Sequence, residues 1–166
     1  MPKGLNQGNE VGALSLRAVG WAKSFPIYRG PGSARRWSLE HLEALNWTED
    51  SPDVVHSVLL TVSELVTNAH VHARSSAQLV LTWDGECLHV SVADSDPGLP
   101  APGGASDEAV SGRGLAIVDA LADRWDAHAF HGGKTITACF HPPGRPDPHR
   151  GTDPAGSGHL RPHGPG

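Results

Sequence analysis

From Ser51 to Arg74 the apolar residues Val54, Val55, Val58, Leu59, Val62, Leu65, Val66 and Ala69 recur at helical spacing. That pattern predicts one long amphipathic helix. Ser51-Pro52-Asp53 supplies its start: an N-cap, a proline at the first helical position and an acid in the first turn. The period then changes to two. Gln78–Trp83 and Glu86–Asp94 read as strands, joined at Asp84-Gly85 by a two-residue hairpin signal. Trp125–Phe130 and Lys134–Phe140 read as a second hairpin around His131-Gly132-Gly133. Between the hairpins lies a Pro/Gly/Ala/Ser loop, Leu99–Ser111, and then a short helix, Gly114–Asp123, with Ile117, Val118 and Leu121 inward. Upstream, Ser33 is expected to cap a helix running to about Leu45, with Trp37, Leu42 and Leu45 on its apolar side. Phe25–Tyr28 reads as an edge strand. A helix precedes each hairpin. The expected fold is therefore a two-layer α/β sandwich, with a mixed, mainly antiparallel sheet packed against helices.

Composition sets the limits of that core. Pro142–Gly166 holds seven prolines and six glycines, and only Ala155 and Leu160 are apolar, so the segment is expected to be disordered. Residues 1–20 are glycine-spaced and expected to be flexible. This leaves 21–141 as the folded domain, long enough for one core. No apolar run approaches the roughly 18 residues that span a bilayer, so no membrane association is expected. Val11–Val19 is broken by Gly12, Ser15 and Arg17 and does not read as a signal peptide. With a net charge of −5 and no basic run, direct nucleic-acid binding is not expected either. Cys87 and Cys139 are too few for a multi-disulfide scaffold or a four-thiolate zinc site. A reduced, cytoplasmic protein is the expectation.

Three stretches carry candidate chemistry. Glu64, Asn68 and His72 are spaced i, i+4, i+8 and line one ridge of the long helix, with Thr61 a turn earlier. A carboxylate one turn from an amide oxygen suits a hard cation and a general base. An ordinary solvated helix face carries the same residue types. His70 and His72, at i, i+2, do not make a helical zinc pair. Asp94 ends a strand before Ser95-Asp96-Pro97-Gly98. Its carboxylate suits an exocyclic amine such as that of adenine, and Gly98 lets backbone approach a flat ring; a plain acidic turn has the same composition. Gly112-Arg113-Gly114-Leu115 opens the short helix, where free N–H groups, the helix dipole and Arg113 suit phosphate; a flexible glycine entry is the alternative. Gly133-Lys134-Thr135 imitates the end of a phosphate loop. His128 stands where that motif needs glycine, and a strand follows instead of a helix.

The order of these stretches is more specific than any one of them. Ser63-Glu64-Leu65-Val66-Thr67-Asn68-Ala69, then Val92-Ala93-Asp94 with Gly98-Leu99-Pro100, then Gly112-Arg113-Gly114-Leu115 through Val118-Asp119-Ala120-Leu121-Ala122-Asp123-Arg124-Trp125, then Gly133-Lys134-Thr135, resembles the histidine-kinase-like ATPase superfamily, the Bergerat fold. Within it the chain is similar to single-domain anti-sigma-factor serine/threonine kinases. The resemblance implies ATP and Mg²⁺ as cofactors, Asn68 on the Mg²⁺ and Glu64 as general base. It further implies Asp94 on the adenine amino group and Gly98 in the first glycine box. Gly112, Arg113, Gly114 and Leu115 fall at the phosphates, Thr135 near the adenine, and Leu99–Ser111 as the lid. Asp96 stands where the first box has its first glycine.

The activity that this resemblance implies is that of an ATP-dependent protein serine/threonine kinase. Its implied partners are an anti-anti-sigma protein and a sigma factor, with control of transcription by partner switching and pairing as a homodimer. The alternative is a nucleotide-sensing module without phosphotransfer. A sensor histidine kinase fragment is disfavoured, because only the short helix bearing His41 precedes the long one. The tail histidines His141, His149, His159 and His163 are irregularly spaced, which favours solvated disorder over a metal site.

Overall fold

The computed structural model describes residues 18–99 and 109–142, with backbone only for 109–113. The expected N-terminal segment up to residue 17, the middle of the lid and the tail from 143 lie outside the described residues. The elements run β1 (Val19–Phe25), α1 (Gly30–Ala44), a short α2 (Trp47–Asp50), α3 (Pro52–Val71), β2 (Ala77–Trp83), β3 (Leu88–Asp94), α4 (Ala109–Leu121), β4 (Arg124–Phe130) and β5 (Gly133–Phe140). The five strands form one sheet in the order β1-β2-β3-β5-β4. Every pairing among them is antiparallel, so the sheet is simpler than the mixed one expected.

Strand alternation makes two chemically different faces. Register aligns the rung Trp21, Leu81, Val90, Ala138 and Trp125, and beside it Leu79, Val92, Ile136 and Ala127. These residues face the helices and form the core with Phe25, Leu88 and Phe140. The other face carries Ser24, Gln78, Thr82, Ser91, Thr137 and Asp126 at the alternate positions. It is polar because no second layer covers it among the described residues.

The long helix forms as its pattern predicts, from Ser51-Pro52 to Val71, three residues short of Arg74. Val58, Val62 and Val66 are fully buried on its inner face. By length and composition this helix is apolar enough to cross a bilayer, contrary to the sequence expectation. Here its apolar side packs on the sheet, as in a core helix. His70 adds a tie, its Nε2 lying 2.7 Å from the Phe25 carbonyl oxygen at the end of β1.

Other boundaries differ from expectation for local reasons. The first strand is Val19–Phe25, and Ile27–Arg29 is a 3₁₀ turn, because Pro26 cannot donate to a ladder. It also starts inside the N-terminal segment expected to be flexible. Helix α1 starts at Gly30, so Ser33 lies inside it, its hydroxyl donating back to the Arg29 carbonyl at 3.0 Å. The β2–β3 connection has four residues, since Asp84 Oδ1 accepts the N–H groups of Glu86 and Cys87 at 2.8 and 2.9 Å and rounds the turn more widely. The β4–β5 turn is the tight one. Gly132 has φ 86°, open to glycine at no steric cost.

Candidate functional site

The candidate site begins at the seam between α3 and α4. Asn68 is buried, and its side-chain amide makes no hydrogen bond to a described residue. Thr61, two turns earlier, has a buried hydroxyl without a partner among the described residues. Glu64 lies between them, half-buried. A Cβ placed on Gly114 of α4 would stand 3.0 Å from Glu64 Oε2. Glycine at 114 therefore lets the second helix lie directly against the Glu64 carboxylate. This joins two stretches 50 residues apart, and it sets an uncommitted amide and a carboxylate on one ridge. These oxygen donors fit a hard divalent cation such as Mg²⁺.

The Gly114 contact can be tested directly. In Gly114→Ala the only tight contact of the methyl is the end of the flexible Glu64 side chain, and alanine suits a helix interior better by roughly 0.5–1 kcal/mol. Urea unfolding should show stability retained or slightly raised. A crystal structure should show Glu64 in a different rotamer.

The second part lies at the end of β3. Asp94 is on the helix-facing side, in register with Lys134 of β5. The Lys134 ammonium donates to Asp94 Oδ2 at 2.9 Å and to Oδ1 at 3.2 Å, and both side chains are at most 4% exposed. Asp94 Oδ1 also accepts the backbone N–H of Asp96 at 2.8 Å. An ionised carboxylate has about four acceptor positions. These bonds take three, and one on Oδ2 is left. Sequence reasoning missed Lys134, because it read Gly133-Lys134-Thr135 as a false phosphate loop and, in the resemblance, gave the role there to Thr135. The signal was present: Lys134 shares strand parity with Ile136, Ala138 and Phe140, a charge at an inward position.

Asp96, at the position where the resemblance expects the first glycine of the first box, is held in a closed turn. Its Oδ1 accepts the Gly98 N–H at 2.9 Å, and its carbonyl lies 3.4 Å from Lys134 Nζ. The side chain closes its own turn, and a Cβ on Gly98 would press on that carboxylate at 3.2 Å.

Two sequence expectations need correction. Gly112-Arg113-Gly114-Leu115 reads as a helix start in the sequence. The helix begins at Ala109, so Gly114 and Leu115 sit in its second turn, where N–H groups bond within the helix. Arg113 has no described side chain. Thr135 is expected beside the adenine. Its parity is that of Thr137, whose hydroxyl lies 2.9 Å from that of Ser91 on the polar face, so the Thr135 side chain is across the sheet from Asp94. Lys134, not Thr135, faces Asp94.

His41, on the helix that precedes the long one, stacks on Trp21 at 4.5 Å and meets Trp37 edge-on at 4.6 Å. Burial lowers its pKa, against a smaller upward pull from Glu40. A cleft of about 400 Å³ runs along Ser75, Ser76, Gln78, Asp94 and Gly132, and neither Glu64, Asn68 nor Gly114 lines it.

A family model for the histidine kinase-like ATPase domain matches residues 31–140. The chain belongs to that family. ATP is the nucleotide that such a domain binds, and the matched span contains Glu64, Asn68, Asp94, Gly114 and Lys134. A search of curated proteins found no match.

Proposed function

We propose that this histidine kinase-like ATPase domain binds ATP with Mg²⁺ and phosphorylates a serine or threonine of a protein partner, as an anti-sigma-factor kinase does. The partner is then an anti-anti-sigma protein, and its phosphorylation decides whether a sigma factor is held or released. The observation that carries the reading is Glu64 lying against Gly114 at the α3–α4 seam, one turn from the uncommitted Asn68.

In this reading the adenine amino group takes the remaining acceptor on Asp94. The phosphates lie over the seam, where Gly112 and Gly114 weaken the start of α4. Each glycine lowers helix stability by about 1 kcal/mol, so uncoiling a turn to free N–H groups takes little free energy. Asn68 would hold Mg²⁺, which supplies charge neutralisation at the phosphates when bound. Glu64 accepts the proton of the partner's hydroxyl. The hydroxyl oxygen bonds to the γ-phosphorus as the bond to the β–γ bridging oxygen breaks, and ADP leaves with that electron pair. Positioning and charge stabilisation do most of the work.

Titration calorimetry tests the nucleotide site. ATP should bind one to one in Mg²⁺, and Asn68→Ala should weaken it about tenfold or more in Mg²⁺ but little in chelator, the worth of one charged contact. Equal loss in both conditions would remove Asn68 as the cation ligand. The second reading is a nucleotide-sensing module without phosphotransfer. It is favoured by the Lys134 contacts on Asp94 and by Asp96 in place of glycine. Tight ATP binding with no transfer of labelled phosphate to any serine-bearing partner protein would select it.

A further inference from the structure

The chain has only two cysteines, 52 residues apart, and they meet at the end of β3 farthest from Asp94. His89 is directly opposite Cys139 in the β3–β5 register, on the polar face of the sheet. Cys87 immediately precedes β3, and Asp84 lies in the β2–β3 turn. His89 Nε2 is 3.1 Å from Cys87 Sγ and 3.1 Å from Asp84 Oδ2, and Cys139 Sγ is 3.1 Å from His89 Nδ1. Cys87 Sγ is 3.9 Å from Asp84 Oδ2. One ligand atom from each of Cys87, His89 and Cys139 lies within 4.8 Å of the others. Cys87 is buried, and the other two are half-buried.

We propose that Cys87, His89 and Cys139 form a zinc site, with the Asp84 carboxylate as its fourth ligand. A tetrahedral ion at about 2.0–2.3 Å from its ligands sets them about 3.3–3.8 Å apart. The separations among Cys87 Sγ, His89 Nε2 and Asp84 Oδ2, 3.1–3.9 Å, match to within a few tenths of an ångström, and Cys139 Sγ lies within 4.8 Å of the Cys87 and His89 ligand atoms. Only one imidazole nitrogen binds the ion. Nε2, between Cys87 and Asp84, is that atom, and a rotation of the Cys139 side chain brings its sulfur onto the same ion. Two thiolates and an imidazole select Zn²⁺ over Mg²⁺, so this donor set differs in kind from the oxygen donors at Asn68. The two ends of β3 that carry these chemistries, His89 and Asp94, are about 17 Å apart at roughly 3.4 Å per residue. The ion would clip the β2–β3 turn to β5, an entropic staple across the sheet.

The test uses the full chain, purified in reductant and stripped of metal. Titration with Co²⁺ alone should give thiolate-to-cobalt charge-transfer absorption and the intense visible bands of a tetrahedral ion, saturating at one equivalent. Zn²⁺ should then displace the cobalt and raise the melting temperature. Cys139→Ser, at a half-buried position, and His89→Gln should each weaken Co²⁺ about 100-fold or more, beyond the 10–100-fold expected of an outer-shell change. Circular dichroism of each metal-free variant checks folding, and the wild-type spectrum decides the matter even if a variant does not fold. The proposal is overturned by an octahedral cobalt spectrum, by binding that survives in Cys139→Ser, or by two thiols that stay fully reactive to a thiol reagent with Zn²⁺ present. A Cys87–Cys139 disulfide in the protein as isolated without reductant, re-formed after reduction despite excess Zn²⁺, overturns it as well.

Discussion

Lys134→Met is expected to cost about 3–5 kcal/mol of folding stability, the usual loss when one partner of a buried ion pair is removed. The ammonium makes two contacts with the Asp94 carboxylate, and both side chains are almost wholly shielded from water. Without it, the carboxylate keeps the Asp96 N–H and little else. The companion variant Asp94→Asn should also lose stability, because it leaves the lysine charge buried against a neutral amide. The double variant Asp94→Asn/Lys134→Met should return to within about 1–2 kcal/mol of wild type, since paired apolar or neutral replacements are often tolerated. Urea unfolding of the four proteins closes a double-mutant cycle. A coupling near zero would mean that the two groups do not meet. The same cycle protects the nucleotide reading. Loss of ATP binding in Asp94→Asn alone would mix misfolding with lost recognition, whereas loss in the stable double variant isolates the amine contact.

Glu64→Gln is expected to lower phosphotransfer by about 10²–10⁴, the worth of a positioned general base. Glutamine keeps the shape of the carboxyl and its packing on Gly114, but it cannot take the hydroxyl proton. ATP affinity should change by no more than a few fold, because adenine and phosphate contacts lie on other residues in the proposed arrangement. Single-turnover transfer of labelled phosphate, with affinity measured separately, checks both parts. Transfer unchanged in Glu64→Gln would remove Glu64 as the base. A parallel fall in affinity and rate would instead mark Glu64 chiefly as a ligand of the bound cation.

Much of the fold is legible in local pattern. The Val/Leu spacing of α3, the alternation in β2, β3 and β5, and Ser51-Pro52 each specify a conformation through neighbours within a turn or two. The site was legible to the extent that it lies on such elements: Glu64 and Asn68 share a ridge because helical spacing requires it. The start of α4 was misplaced because glycines at 112 and 114 signal a helix start locally, while packing against α3 recruits them into the helix.

The amino-acid sequence by itself determined the long helix, the four strands from β2 to β5, the order of the elements and membership of the histidine kinase-like ATPase domain family, because short-range periodicity and motif spacing are properties of the chain. Only the tertiary structure decided which residues meet across strands. Lys134 faces Asp94 while Thr135 points to the other side, and Cys139 lies opposite His89, because a register is set by pairing between distant segments. A shift of one residue in that pairing would exchange the two faces of β5 and with them the chemistry at both ends of the sheet.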